Sequence, residues 1–228
     1  MNAFSQWFSQ LQWEKLIEMV ISAFSCLMCI VLHELCHGYA ALSMGDTTAR
    51  RAGRLTLNPM KHIDLVGLVM LVTLHFGWAK PVPVNMRNFR RPKLGMAMTA
   101  LAGPLGNGLL ALLMTPGYAA CMVWYYTSGS AASYYLAYFF LMTVTVSIGL
   151  MVFNLIPVPP LDGSKILFAL LPPRWYQFLM RYERFGMIGL VALMYFGILD
   201  KPLSIIRDAV QQFIFSVAGE PIVRLLIG

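Results

Sequence analysis

What most constrains the fold of this chain is the recurrence of apolar stretches long enough to cross a bilayer. From about Leu16 to Met44 the sequence is apolar apart from Glu18 and one short polar cluster. A helix needs about 20 residues to span a hydrocarbon core of about 30 Å, and this stretch exceeds that. Further apolar stretches run from Leu94 to about Tyr126, interrupted at Ala102–Gly108 where Pro104 is expected to disturb the helix ladder and expose Asn107, from Tyr134 to Phe153, and from about Gly186 to Leu199, after which Lys201-Pro202 is expected to break the helix. Leu203 to Gly228 is expected as a final helix, and the sequence leaves open whether it crosses or lies on the surface. Composition agrees with a membrane protein: 58% of the 228 residues are hydrophobic and 12% charged, with mean hydropathy +0.66, whereas soluble domains carry about 25% charged residues. The expected fold is an all-α polytopic membrane protein, a bundle of about five to six transmembrane helices with a small β-strand or re-entrant element between the first and second full spans. The short connections leave no room for a second domain, so residues 1–228 form a single unit.

The connections carry the charge. Gly45 to Asp64 holds Arg50, Arg51, Arg54 and Lys61, with β-favouring pieces around Thr47-Thr48 and Arg54 to Leu57 and a turn signal at Asn58-Pro59. Leu65 to Gly77 is too short to cross and is expected to be re-entrant. Trp78 to Lys93 is broken by Pro81, Pro83 and Pro92 and is again basic. Pro172 to Phe185 is aromatic and basic, as an interfacial helix should be, and the aromatic segment Met1 to Glu14 fits the same level. The net charge of +7 therefore reads as a topology signal rather than a nucleic-acid surface. Basic stretches at Arg50–Lys61, Lys80–Lys93 and Arg174–Arg184 belong on the cytoplasmic side, and the uncharged Thr127–Ser133 loop on the other. Cys26, Cys29, Cys36 and Cys121 all lie in apolar segments and spell no disulfide framework. The N-terminus has no positive region before its apolar run, so no removable signal peptide is read there.

The polar cluster in the first apolar stretch is His33-Glu34-Leu35-Cys36-His37. On a helix the two histidines stand about 6 Å apart along the axis and about 40° around it, so both imidazoles leave one face and can share a metal. Glu34 is turned about 100° from His33, beside that metal, where a carboxylate serves as general base. This is the H-E-x-x-H arrangement of zinc peptidases. A catalytic zinc site commonly takes a third protein ligand and leaves the fourth position to water. Asp162 is the chosen third ligand: it follows Pro157, Pro159 and Pro160, and irregular backbone at membrane depth lines a wet or protein-buried cavity. The competing account is that Asp162 caps the helix after it. His62, His75 and Cys29 are the other candidate ligands, each with a plainer role as a satisfied loop or helix residue or a small apolar filler.

His33-Glu34-Leu35-Cys36-His37-Gly38, together with Asn154-Leu155-Ile156-Pro157 through Leu161-Asp162-Gly163, resembles the two zinc-site motifs of the site-2 protease family of intramembrane zinc metalloproteases. Gly53 to Pro59, Gly77 to Val84 and Ala102-Gly103-Pro104 to Asn107 are similar to stretches in its short members, which lack PDZ and CBS domains. The resemblance covers most of the chain. It implies one zinc held by His33, His37 and Asp162, with Glu34 activating water and Asn154 assisting at the substrate carbonyl or strand. It also implies a transmembrane protein as substrate, cleaved in or near its membrane segment during regulated intramembrane proteolysis in a bilayer such as the plasma membrane; with the basic loops inside, the active site is expected to open nearer the cytoplasmic face. An unwound substrate could pair with the irregular Trp78–Val84 stretch.

Two rival classes remain at this stage. A transporter would also place broken helices and polar groups at mid-membrane, but needs no Glu between two helical histidines. A non-catalytic zinc protein would close its site with a fourth protein ligand. Substrate identity and oligomeric state leave no mark in the sequence.

Overall fold

The computed structural model describes residues 12–65, 67, 79–172 and 183–227. In chain order the helices are α1 (Trp13–Ser43), α2 (Thr48–Arg51), α3 (Pro92–Ser128), α4 (Ala131–Asn154), α5 (Asp162–Leu170), α6 (Glu183–Tyr195), α7 (Asp200–Ile214) and α8 (Glu220–Ile227), with a π-helical turn, Phe215–Gly219, joining the last two. Among the described residues, four helical stretches are long and apolar enough to cross a membrane: α1, α3, α4 and the continuous run Asp200–Ile227. The protein is an integral membrane protein. Of the five to six expected, four are found among the described residues, and the Gly186–Leu199 stretch is shared there between α6, described over 13 residues, and the turn that follows it. Gly197, at φ +66°, makes the turn after α6. Lys201-Pro202 is not a break, because Pro202 falls in the first turn of α7, where its missing N–H is not needed. The final helix is thereby long enough to cross.

No strand forms among the described residues. The expected β element is reduced to one antiparallel bridge, Ile63 with Ala79, where Lys80 N–H donates to the His62 carbonyl at 2.9 Å. Thr47-Thr48 opens a helix instead of a strand, because Asp46 Oδ1 accepts both the Thr48 N–H at 3.0 Å and the Thr48 hydroxyl. A local side-chain turn outweighs the β preference of threonine there. The expected re-entrant helix over Leu65–Gly77 (apart from Leu65 and Gly67), Trp78, the N-terminal interfacial segment up to Leu11 and most of the Pro172–Phe185 helix lie outside the described residues.

α3 and α4 pack along one another, α1 lies against both, and α5 rests on α3. The core between α3, α4 and α7 is built from Ala111, Val144, Ile148, Val152 and Ile214. Lipid gives helices no hydrophobic reason to associate, so close approach and polar contacts do it instead. A Cβ on Gly117 would stand 2.6 Å from the Phe140 ring, and one on Gly106 2.3 Å from Cys36 Sγ. Between α1 and α4 a seam of hydrogen bonds runs from Tyr134 to Glu18 (2.6 Å) through Ser22 with Tyr138 (3.1 Å) and Thr143 with Ser25 (3.3 Å) to Cys29 with Ser147 (3.2 Å). The expected interruption at Ala102–Gly108 does not occur. α3 continues through Pro104 and Pro116, since packed neighbours let a membrane helix tolerate a lost ladder bond, and Asn107 is wholly buried.

Beyond α1, Asp46 fastens the loops. Its buried carboxylate accepts Asn85 N–H at 2.6 Å and Asn88 Nδ2 at 2.7 Å in addition to Thr48. This pins the extended 79–85 segment to the end of the helix that bears both histidines. Burial pushes the Asp46 carboxyl up, but the donors from Asn85, Asn88 and Thr48 outweigh it and leave the pKa lowered. A lowered folded pKa means the contribution is complete above the unfolded carboxylate value of about 3.9 and is lost as pH falls through the folded value. Asp46→Ala should therefore cost roughly 2–4 kcal/mol at pH 7. Thermal unfolding in detergent should show the deficit at pH 7 and its shrinkage below about pH 4.

Candidate metal centre

His33 and His37 leave the same face of α1, one turn apart, and both are buried. Their Nε2 atoms stand 3.0 Å apart with the rings edge to face. They fit because α3 presents no side chain there: a Cβ on Gly103 would lie 2.4 Å from the His37 ring and 2.7 Å from His33. His37 Nδ1 lies 2.7 Å from the Thr99 carbonyl. A carbonyl only accepts, so the Nδ1 proton is fixed and neutral His37 presents a bare Nε2.

Asp162 comes from the other end of the sequence. Prolines 157, 159 and 160 keep residues 155–161 out of a helix, and Asp162 is the first residue of α5. Gly163 permits the entry, because a Cβ there would stand 2.3 Å from the Leu155 carbonyl oxygen and 2.5 Å from that of Ile156. The glycine thus serves a close approach to its own loop rather than to α1. Asp162 Oδ2 lies 3.2 Å from His33 Nε2 and 3.0 Å from His37 Nε2, and Oδ1 accepts from Lys165 Nζ at 3.3 Å. The carboxylate is directed to the histidines, not to capping α5.

These three residues offer donor atoms within 4.8 Å of one another. Tetrahedral zinc with bonds of about 2.0–2.1 Å places its ligand atoms about 3.3 Å apart, close to the 3.0–3.2 Å spacings here. A bare imidazole nitrogen and a carboxylate oxygen at 3.0 Å repel unless a cation lies between them. The buried, mutually facing donors and the hollow at Gly103 therefore fit a metal ion.

Glu34 is half-buried beside the pair, and its Oε2 accepts Val82 N–H at 2.7 Å. Val82 belongs to the segment that Asp46 anchors. Asn154, at the end of α4, donates its amide to the Leu150 carbonyl at 3.0 Å and, among the described residues, makes no hydrogen bond to the cluster. The rival ligands go elsewhere: His62 is buried with Nε2 on the Thr56 carbonyl at 2.9 Å, and the Cys29 thiol is engaged by α4. His75 lies outside the described residues. Sequence reading passed over Lys165, although its position three residues after Asp162 on a helix carries a signal. The Thr99 carbonyl and Val82 amide are main-chain groups and leave none.

Comparison with known proteins bears on the same residues. The family model described as Peptidase family M50 matches residues 117–196, a stretch that includes Asp162. YwhC of Bacillus subtilis, named a presumptive zinc metalloprotease, is 37% identical over 173 residues, covering 73% of this chain and 76% of YwhC. The chain belongs to peptidase family M50. More distant relatives are the Rip2 proteins, also named presumptive zinc metalloproteases: 29% identical in Mycolicibacterium smegmatis over 74% of this chain and 64% of that protein, and 28% in Mycobacterium tuberculosis over 77% and 66%. No solved structure matches the chain significantly. This M50 protein is a membrane metallopeptidase, as the resemblance to the site-2 protease family implies.

The hollow at Gly103 gives a direct test. Gly103→Ala should displace both imidazoles and remove most bound metal from a protein that still folds. Gly149→Ala, where an added Cβ meets nothing within 4 Å, should keep it. Metal analysis of the two purified variants beside wild type checks the pair.

Proposed function

We infer that this M50 protein is an intramembrane zinc metalloprotease that hydrolyses peptide bonds in or near transmembrane segments of membrane-protein substrates. The observation that carries the reading is the convergence of His33, His37 and Asp162 at 3.0–3.2 Å beside Glu34 inside a helical membrane bundle. His33, His37 and Asp162 would hold one zinc, which supplies Lewis-acid polarisation and lowers the pKa of water toward 7. The described residues offer three ligands and no fourth in that cluster, which favours an open, catalytic site over a storage site.

Glu34 acts as general base. Val82 N–H fixes its Oε2, so the carboxylate is held in one orientation while it takes a proton from water and returns it to the leaving amine. Lys165, held at Asp162 Oδ1, keeps the other carboxylate oxygen directed at the histidines. Asn154 is proposed as an amide donor to the substrate, released from Leu150 when a peptide is present. The extended 80–85 segment offers an unwound substrate a strand to pair with, and Pro81 and Pro83 restrict one edge of it to carbonyl acceptors. The positive-inside rule puts the basic loops, and the site nearest them, toward the cytoplasm, in a multi-pass plasma-membrane orientation.

Glu34→Gln should keep stoichiometric zinc and lose hydrolysis, because an amide cannot accept the proton. Asp162→Ala should lose both, whereas His62→Ala, His75→Ala and Cys29→Ala should retain zinc. Metal analysis beside a peptidase assay separates these outcomes, and an Asp162→Ala protein with zinc bound as tightly as wild type would reject the ligand set.

Substrate class is tested independently. Glycine or proline placed near the scissile bond of a transmembrane substrate should speed cleavage, since a helix hides its carbonyls in its own hydrogen bonds. Soluble casein should be a poor substrate in the same assay.

A further inference from the structure

Resting on the metal reading above, we propose that Asn107 is the positioning residue that sets which tautomer His33 adopts, its side-chain amide reversing when metal binds. The two histidines are held differently on the side away from the cluster. His37 Nδ1 faces a main-chain carbonyl, which cannot change from acceptor to donor, so His37 stays in the ligating tautomer. His33 Nδ1 faces the Asn107 amide at 3.2 Å, and an amide has a donor end and an acceptor end.

In the arrangement observed, Asn107 presents Nδ2 to His33. An NH₂ group pairs only with a lone pair, so this orientation belongs to a His33 whose proton is on Nε2, donated to Asp162 Oδ2 at 3.2 Å. That ring cannot ligate through Nε2. Meanwhile Asn107 Oδ1, in a side chain that is wholly buried, has no hydrogen-bond partner among the described residues, so His33 is the contact there that selects between the two orientations of the amide. Rotating the amide by half a turn brings Oδ1 to Nδ1, where it accepts a proton from the other His33 tautomer and leaves Nε2 bare for a metal. Each orientation matches one state of the site, and assignment of amide O and N follows the hydrogen bonding.

This gives the metal-free site a hydrogen-bonded form in which His33 and Asp162 do not repel, and the loaded site a fixed ligand. His37 is the constant member of the pair and His33 the adaptable one.

Asn107→Asp keeps only acceptors toward His33 Nδ1, and Asn107→Leu keeps neither acceptor nor donor at similar volume. In chelator-competition titrations with Zn²⁺ on the full chain in detergent, Asn107→Asp should bind as tightly as wild type or more so. Asn107→Leu should bind about 10–100-fold more weakly, the loss typical when a partner of a ligating histidine is removed. Equal weakening of both variants would show a merely structural role and overturn the proposal, as would unchanged binding in both. Nitrogen-15 NMR of histidine-labelled and asparagine-labelled wild type needs no variant. His33 should carry its proton on Nε2 without zinc and on Nδ1 with it, with the Asn107 side-chain resonance shifting. An Nδ1 proton in both states, or an Asn107 resonance that does not move, would overturn the switch while zinc uptake by the same sample upheld the metal site. A wild-type protein that takes up no zinc would overturn the metal site and the proposal together.

Discussion

Three metal-binding groups held within 3.2 Å of one another in a buried place set the bare His37 nitrogen against a carboxylate, and the fold is arranged to keep them there until a cation relieves that repulsion. Gly103 makes room for both rings on the α3 side, and the Thr99 carbonyl fixes the proton of His37. Gly163 lets α5 begin against the Leu155 and Ile156 carbonyls, so that Asp162 reaches the rings. Two of these residues have no side chain and the third acts through its main chain, yet each fixes a donor atom. Because ligand geometry is set by such supporting contacts as much as by the ligands, the site is a property of the α1, α3 and α5 contact rather than of one motif.

The bilayer sets the terms on which that contact forms. With hydrocarbon outside, α1 gains nothing from apolar burial against α4, and the pair is joined by the polar seam from Glu18–Tyr134 to Cys29–Ser147. That seam ends one turn before His33. Thus the contacts that associate the helices also fix the rotation of α1, and with it the direction in which both imidazoles point. On the far side of the site Asp46 draws the extended 79–85 segment onto the end of α1, which brings Val82 N–H to Glu34. A change at Asp46 is therefore felt at Glu34, although the two carboxylates share no direct contact.

Membrane class, the long apolar helices, the shared face of His33 and His37 and the place of Glu34 beside them were legible in the sequence because each depends on spacing along a single helix. A four-residue interval in an apolar run puts two histidines on one face whatever the rest of the chain does. Asp162 was legible for another reason: a carboxylate after three prolines at the end of an apolar stretch has few other uses. Other readings failed where a local contact outweighed propensity. Thr47-Thr48 became a helix start because Asp46 supplied an acceptor, and α3 ran on through Pro104 because its neighbours allowed it.

The sequence by itself determined which residues are candidates for chemistry: an imidazole pair, a carboxylate beside it and a second carboxylate far along the chain, since residue type and helical period are local properties. Tertiary structure decided how their atoms meet. The 3.0 Å approach of His37 to Asp162, the main-chain donors and acceptors at Val82 and Thr99, the hollow at Gly103 and the two-ended amide of Asn107 arise only when separate helices pack. Main-chain groups are the same at every residue, and an absent side chain matters only once something else occupies its space, so neither can be read before the helices are in place.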